Sequence, residues 1–194
     1  MKRILTALVF VFGLTMMQAQ TVTYEDFKGL IPYLKTEDWK SAFQESSKLL
    51  KAADHDTSDF KAIVLYVNIF SAAGMVVNEQ MTYKELENNI MQFKGQKIIM
   101  SAHPLTIKDG SLNCLKFSVS DTTNEAFTSS TNAKGTNILC FERFHFKDKQ
   151  NPANFGNSFV RCGGTLDKIE LNPNKSMIWI LRLTVKNAFA RKAG

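Results

Sequence analysis

The hydrophobic pattern changes its period near Gly95, and that change limits the folds open to this chain. Before it, apolar residues recur three, four and seven positions apart, the spacing of a helical face. After it they gather in short runs rich in β-branched and aromatic residues, bounded by turn-forming pieces. Helices first and strands afterwards is the order of an α+β fold. Charge divides at the same place. Residues 20–94 carry eight Lys, no Arg and eleven acidic residues, a net of −3, whereas residues 95–194 carry fourteen Lys and Arg against seven acidic residues, a net of +7. An acidic helical region, 20–94, is thus expected to pack on a basic β region, 95–194.

Helix signals are explicit in the first region. Thr23 with Asp26 three residues on, and Thr82 with Glu85, have the form of reciprocal caps. Pro32 makes the first helix short or kinked. Trp39, Ala42, Phe43, Leu49, Leu50 and Ala53 give a second helix one apolar face. The cluster DHDTSD then marks a turn and cap, and FKAIVLYVNIFSAAGMVV is apolar nearly all round, as a helix buried between neighbours would be. Gly95 closes the last helix. The segment around Trp39, Ala42 and Phe43, with the helix after it, resembles a single tetratricopeptide-type hairpin over about forty residues; arrays of that kind need about three units to bury their faces, so one helical hairpin is the reading.

The second region offers five runs: QKIIMSAHPL, SLNCLKFSVSD, NILCFERFHF, SFVRCGGTLDKIEL and SMIWILRLTV. Leu115, Phe117 and Val119 share one face of the second; Met177, Trp179, Leu181, Leu183 and Val185 share one face of the last. Gly95 at the first run and Gly163-Gly164 inside the fourth supply positions where a strand can bend or bulge. In strand count and glycine placement this region resembles the oligonucleotide/oligosaccharide-binding (OB) barrel, and is similar to exported small barrels described as anticodon-binding-like. The expected architecture is a helical hairpin region packed on a five-stranded antiparallel OB-like β-barrel. The resemblance implies a binding surface across strands two and three with their flanking loops. It does not name a ligand.

Export is the expectation from the N-terminus. Lys2 and Arg3 precede an apolar run from Ile4 to Met17, and Met17-Gln18-Ala19 ends on a small residue, the pattern of a signal peptide over 1–19. The run falls short of the about 20 residues that span a bilayer. No Cys precedes Cys114, which closes the lipid-anchored route. The mature chain, periplasmic or secreted, would carry a net charge of +4 and is long enough to bury a core without disulfides.

Candidate chemistry concentrates in NILCFERFHFKDK. As a strand it puts Ile138, Cys140, Glu142, Phe144 and Phe146 on one side, and Leu139, Phe141, Arg143, His145 and Lys147 on the other. The second set is an aromatic beside a cationic ladder, which can stack rings and hold anions. Edge strands also carry charge merely to deter pairing with other chains. Phe141, Arg143, His145 and Lys147 are therefore the candidate ligand-binding residues, with Arg161 and Arg182 from neighbouring strands. An exported protein meets little nucleic acid, so an anionic ligand or envelope protein is the expected partner.

Export permits a disulfide among Cys114, Cys140 and Cys162, any pairing leaving one thiol over. Equally, all three fit as small core residues. Their separations of 26 and 22 residues do not suit a metal site, even with His103 and His145. Glu142 with Glu170, or Asp167 with Glu170, could form a carboxylate pair, though charged strand surfaces carry such residues without chemistry. No nucleophile elbow, phosphate loop or metalloprotease helix occurs. The reading is a non-enzymatic binding protein without a cofactor; the alternative is an interaction module whose helical hairpin grips a partner while the barrel serves as scaffold.

Overall fold

The computed structural model describes residues 21–120, 123–175 and 178–193. The expected signal segment, 1–19, and Met177 lie outside them. Four helices come first: α1 (Tyr24–Lys35), α2 (Trp39–Ala52), α3 (Asp59–Val77) and α4 (Tyr83–Ile90). Both expected capping boxes form, Thr23 with Asp26 and Thr82 with Glu85. Each gives the first turn of its helix partners for otherwise orphaned N–H groups. Pro32 is accommodated inside α1 without ending it. Ser58 caps α3, whose residues from Ala62 to Ile69 are all buried. The nearly uniform apolarity of α3 is therefore that of a central helix.

Two contacts lock α2 onto α3. The Asn68 side chain donates to Ser46 Oγ at 2.9 Å and Ser47 Oγ at 2.8 Å. Beside it, Gly74 lets the Trp39 ring lie against the α3 backbone, since a Cβ there would stand 2.4 Å from Trp39 Cδ2. After α4 a 3₁₀ turn, Met91–Phe93, leads to Gly95 at φ +88°, the left-handed turn the sequence reserved for it.

The second region is a sheet of six strands rather than the five expected: β1 (Lys97–Ile99), β2 (Lys116–Val119), β3 (Asn124–Thr131), β4 (Ile138–Phe146), β5 (Val160–Leu171) and β6 (Trp179–Lys192). Its order is β1-β5-β6-β4-β3-β2. Every neighbouring pair is antiparallel except β4 with β6, which run parallel, so the sheet is mixed. The strand not foreseen is β3, NEAFTSST. Its inward positions Thr128 and Ser130 are polar, and the apolar alternation that announces a half-buried strand is missing. The order is open, with β1 and β2 at its two ends. An isolated bridge ties the segment after β1 to the residue before β2, where Thr106 N–H donates to Leu115 C=O and Leu115 N–H to Pro104 C=O.

One core runs through both regions. Leu65, Ile69 and Leu86 of the helices belong to the same buried cluster as Phe144, Leu166, Leu181 and Val185 of the sheet. Gly163 and Gly164 lie at a register shift of β5 against β6, where a bend or bulge was expected, and both also allow close backbone approach: a Cβ at Gly163 would meet Ile98 O at 2.7 Å, and one at Gly164 would meet Lys186 O at 2.7 Å. Trp179 departs from its expected place among the apolar residues of β6. Its ring packs under Arg182 instead, near Phe141.

Candidate functional site

Strand β4 turns Cys140, Glu142, Phe144 and Phe146 inward, where all are buried. The other side of β4 faces solvent with Phe141, Arg143 and His145, and Lys147 follows in the exposed turn beyond. Three strands continue this outer face. Across the register, Phe127, Arg143 and Thr184 form one row, and Ser129, Phe141 and Arg182 the next.

Charge on this face is smaller than the residue list suggests. Glu125 of β3 lies beside Arg143 and His145 of β4: Arg143 Nη2 donates to Oε1 at 2.8 Å and Oε2 at 2.9 Å, and His145 Nδ1 lies 2.8 Å from Oε1. The Glu125 side chain is only 12% exposed, so this carboxylate is clasped rather than merely nearby. Arg182 differs. Its guanidinium lies 4.3 Å from the Trp179 ring centroid and 5.8 Å from that of Phe141. Glu170 stands opposite it on β5 but is engaged with Lys168 at 2.9 Å. Stacked on a ring with its polar edge free, a guanidinium keeps its fork of N–H donors for an incoming acceptor. Alongside these rows lies a cleft of about 320 Å³ whose lining includes Cys114, Lys116, Phe127, Ser129 and Phe141. Of the candidate binding residues, the structure thus brings together Phe141, Arg143, His145 and Arg182. Arg161 lies elsewhere, toward the first residue of α3.

A second constellation was not legible in the sequence. Inside the fold, the Tyr66 hydroxyl of α3 donates to Glu142 Oε1 at 2.6 Å and lies 3.1 Å from Ser130 Oγ of β3. Ser130 Oγ is 3.4 Å from His103 Nε2, and Ser101 Oγ, on an exposed residue, is 3.2 Å from the same nitrogen. A chain of hydrogen-bonding groups therefore leads from the surface to a buried carboxyl. Burial raises Glu142 to about 8, against the bonds from Tyr66 and Ser130, which favour the carboxylate. Its Oε2 and the neighbouring Thr128 Oγ1 are buried without a partner. Burial also pushes His103 down and the Cys140 thiol well up, the latter helped by Glu142. Glu142 and Glu170 do not form the carboxylate pair the sequence allowed, because one lies inside the fold and the other on a strand surface.

The cysteines are three free thiols, Cys140 and Cys162 buried and Cys114 half-buried. With the thiolate disfavoured by burial at Cys140 and Cys162, neither is arranged as a nucleophile. Among the described residues no three His, Cys, Asp or Glu side chains gather in a way that could hold a metal ion. No protein-family model, curated protein or solved structure matches the chain.

Proposed function

We propose that the chain is an exported, non-enzymatic binding protein whose outer sheet face, across β3, β4 and β6, takes an anionic ligand or an acidic protein partner. The observation that carries this reading is Arg182, stacked on Trp179 with no carboxylate in ion-pair reach among the described residues. Phe127 at 36% exposure, with Phe141, offers ring faces next to it. A ligand that combines flat surfaces with dispersed negative charge, such as an acidic glycan, uses both features.

The OB-type reading of the fold is part of the proposal. Counting β1 and β2 as two halves of one interrupted first strand leaves five strands in a partly open barrel, and the bridge between Leu105 and Leu115 supports that count. On it, β3 and β4 become strands two and three, whose outer face is where such barrels bind. A groove of about 420 Å³ between α2, α3 and the 3₁₀ turn, lined in part by Phe43, Leu50, Asn68 and Phe93, favours the alternative of a helical docking surface.

The test is a fluorescence titration of residues 20–194 at two salt concentrations. The ligands are a single-stranded oligonucleotide, an acidic glycan and anionic lipid vesicles. Salt-sensitive binding is expected to fall about tenfold or more in a Trp179→Ala, Arg182→Ala double variant. It should fall less in the Arg143→Ala, His145→Ala, Lys147→Ala triple variant, because Glu125 already neutralises part of that charge. Binding that survives the double variant would move the site off this face, and the helical groove would be probed next.

A further inference from the structure

Arg161 of β5 stands directly opposite Arg191 of β6. Like charges facing each other across strands destabilise a sheet, so such a pair calls for a compensating anion. Among the described residues, one carboxylate is paired with cations of this neighbourhood. Asp59, the first residue of α3, lies 2.7 Å from Arg191 Nη1 and 2.6 Å from Lys97 Nζ of β1. It is thus spent on two cations, and among the described residues no hydrogen bond or ion pair satisfies the third. The Arg161 Nε is sealed from solvent without an acceptor. Burial and the neighbouring Arg191 both push the Arg161 guanidinium down, with Asp59 the opposing influence. Phe189 holds Arg191 and Lys97 in place from beneath, 5.3 Å and 5.7 Å from its ring centroid. Phe159, 55% exposed, immediately precedes β5. Three strands and a helix have therefore assembled three cations and one carboxylate.

We infer that Arg161, Arg191 and Lys97 form a binding site for a tetrahedral oxyanion, carried by its ligand as a phosphate or sulfate monoester. The anion bridges the two guanidinium groups and shares Arg191 and Lys97 with Asp59. The inference is independent of the outer face of β3, β4 and β6, since none of its residues lies there. Arginine is suited to the task because its planar fork meets two oxygens of one anion at once.

Calorimetric titration of the mature chain with inorganic phosphate, and separately with sulfate, tests it. Saturable, salt-sensitive binding is expected for at least one of them, and the stronger names the source of the oxyanion. Arg161→Met is expected to weaken binding about tenfold or more. The same variant should be at least as stable as the wild type to urea, because it removes an unpartnered buried donor and a repulsion. Asp59→Asn is expected to tighten binding several-fold by withdrawing the competing carboxylate, an effect that a damaged fold cannot imitate. The inference is overturned if neither anion binds the wild type or Asp59→Asn below about 10 mM. It is also overturned if Arg161→Met binds as the wild type does.

Discussion

Replacing Glu142 by Gln isolates a single buried carboxyl in a fold that otherwise stays the same. Glu142 lies on the inner face of β4 with its Oε1 held by Tyr66 and its Oε2 without a partner. Its pKa rises from 4.5 to about 8, with burial the first cause. Below pH 4.5 folded and unfolded chains both hold the proton. Between 4.5 and about 8 only the folded chain holds it, so folding is penalised progressively as pH rises. Above that both release it, and the full penalty stands. One pKa unit corresponds to about 1.4 kcal/mol, so the window costs about 4 to 5 kcal/mol, a large part of a domain's stability.

Gln keeps an acceptor for the Tyr66 hydroxyl and has no proton to lose. Urea unfolding of wild type and Glu142→Gln at half-unit steps from pH 5 to 9 measures the difference directly. The variant should be close to wild type at pH 5 and more stable by about 3 to 5 kcal/mol at pH 8.5. His103 acts in the opposite sense. Burial keeps it neutral when folded, so stability is lost as pH falls through 6.5, where the unfolded chain takes up a proton. Both chains contain His103, and the difference between them removes it. A difference that stays flat within about 0.5 kcal/mol from pH 5 to 9 would refute the placement of Glu142 in a dry interior. In that case water reaches the carboxyl, and the hydrogen-bonded path from Ser101 is open rather than sealed.

Four further outcomes follow from named contacts. Gly163→Ala drives a Cβ into Ile98 O and the Phe189 ring, and should cost about 1 to 3 kcal/mol by urea unfolding. Phe144→Ala empties a fully buried site at the centre of the shared core and should cost about 3 to 5 kcal/mol, lowering the melting temperature of helices and sheet together. Thr82→Ala removes one half of the α4 capping box and should cost about 1 kcal/mol. A thiol reagent counted by mass spectrometry should modify Cys114 in the native chain, and reach Cys140 and Cys162 only after unfolding.

The helices were legible because their signals are local. A capping Thr with its acid three residues on, or an apolar stripe, needs no knowledge of distant chain. The strands were legible where aliphatic and aromatic residues alternate, and β3 was missed because Thr128 and Ser130 point inward beside Glu142. Ser130 occupies a buried position there because its partners lie in α3 and in the loop after β1, information that a local pattern does not hold. Arg161 was attached to the wrong neighbours for a related reason. Strand β6 continues past Asn187, at φ +49°, to Lys192, and that extension brings Arg191 opposite it. Alternation divided β4 into two faces without settling which points inward, and the neutralisation of one of them by Glu125 depended on the register with β3.

The two backbone hydrogen bonds between Pro104–Thr106 and Leu115 also bear on what this molecule does in a crowd. An open sheet offers unpaired N–H and C=O groups at each margin, ready to recruit another copy. Here both margin strands are short, and the segment that follows β1 is tied to the residue that precedes β2 within the 104–115 excursion. The excursion is moored to β3 by Asn113, whose side chain bonds the Thr131 backbone at 2.9 Å and hydroxyl at 2.8 Å. Deleting it would do more than shorten a loop. It would also break the tie between the segment that follows β1 and the residue that precedes β2.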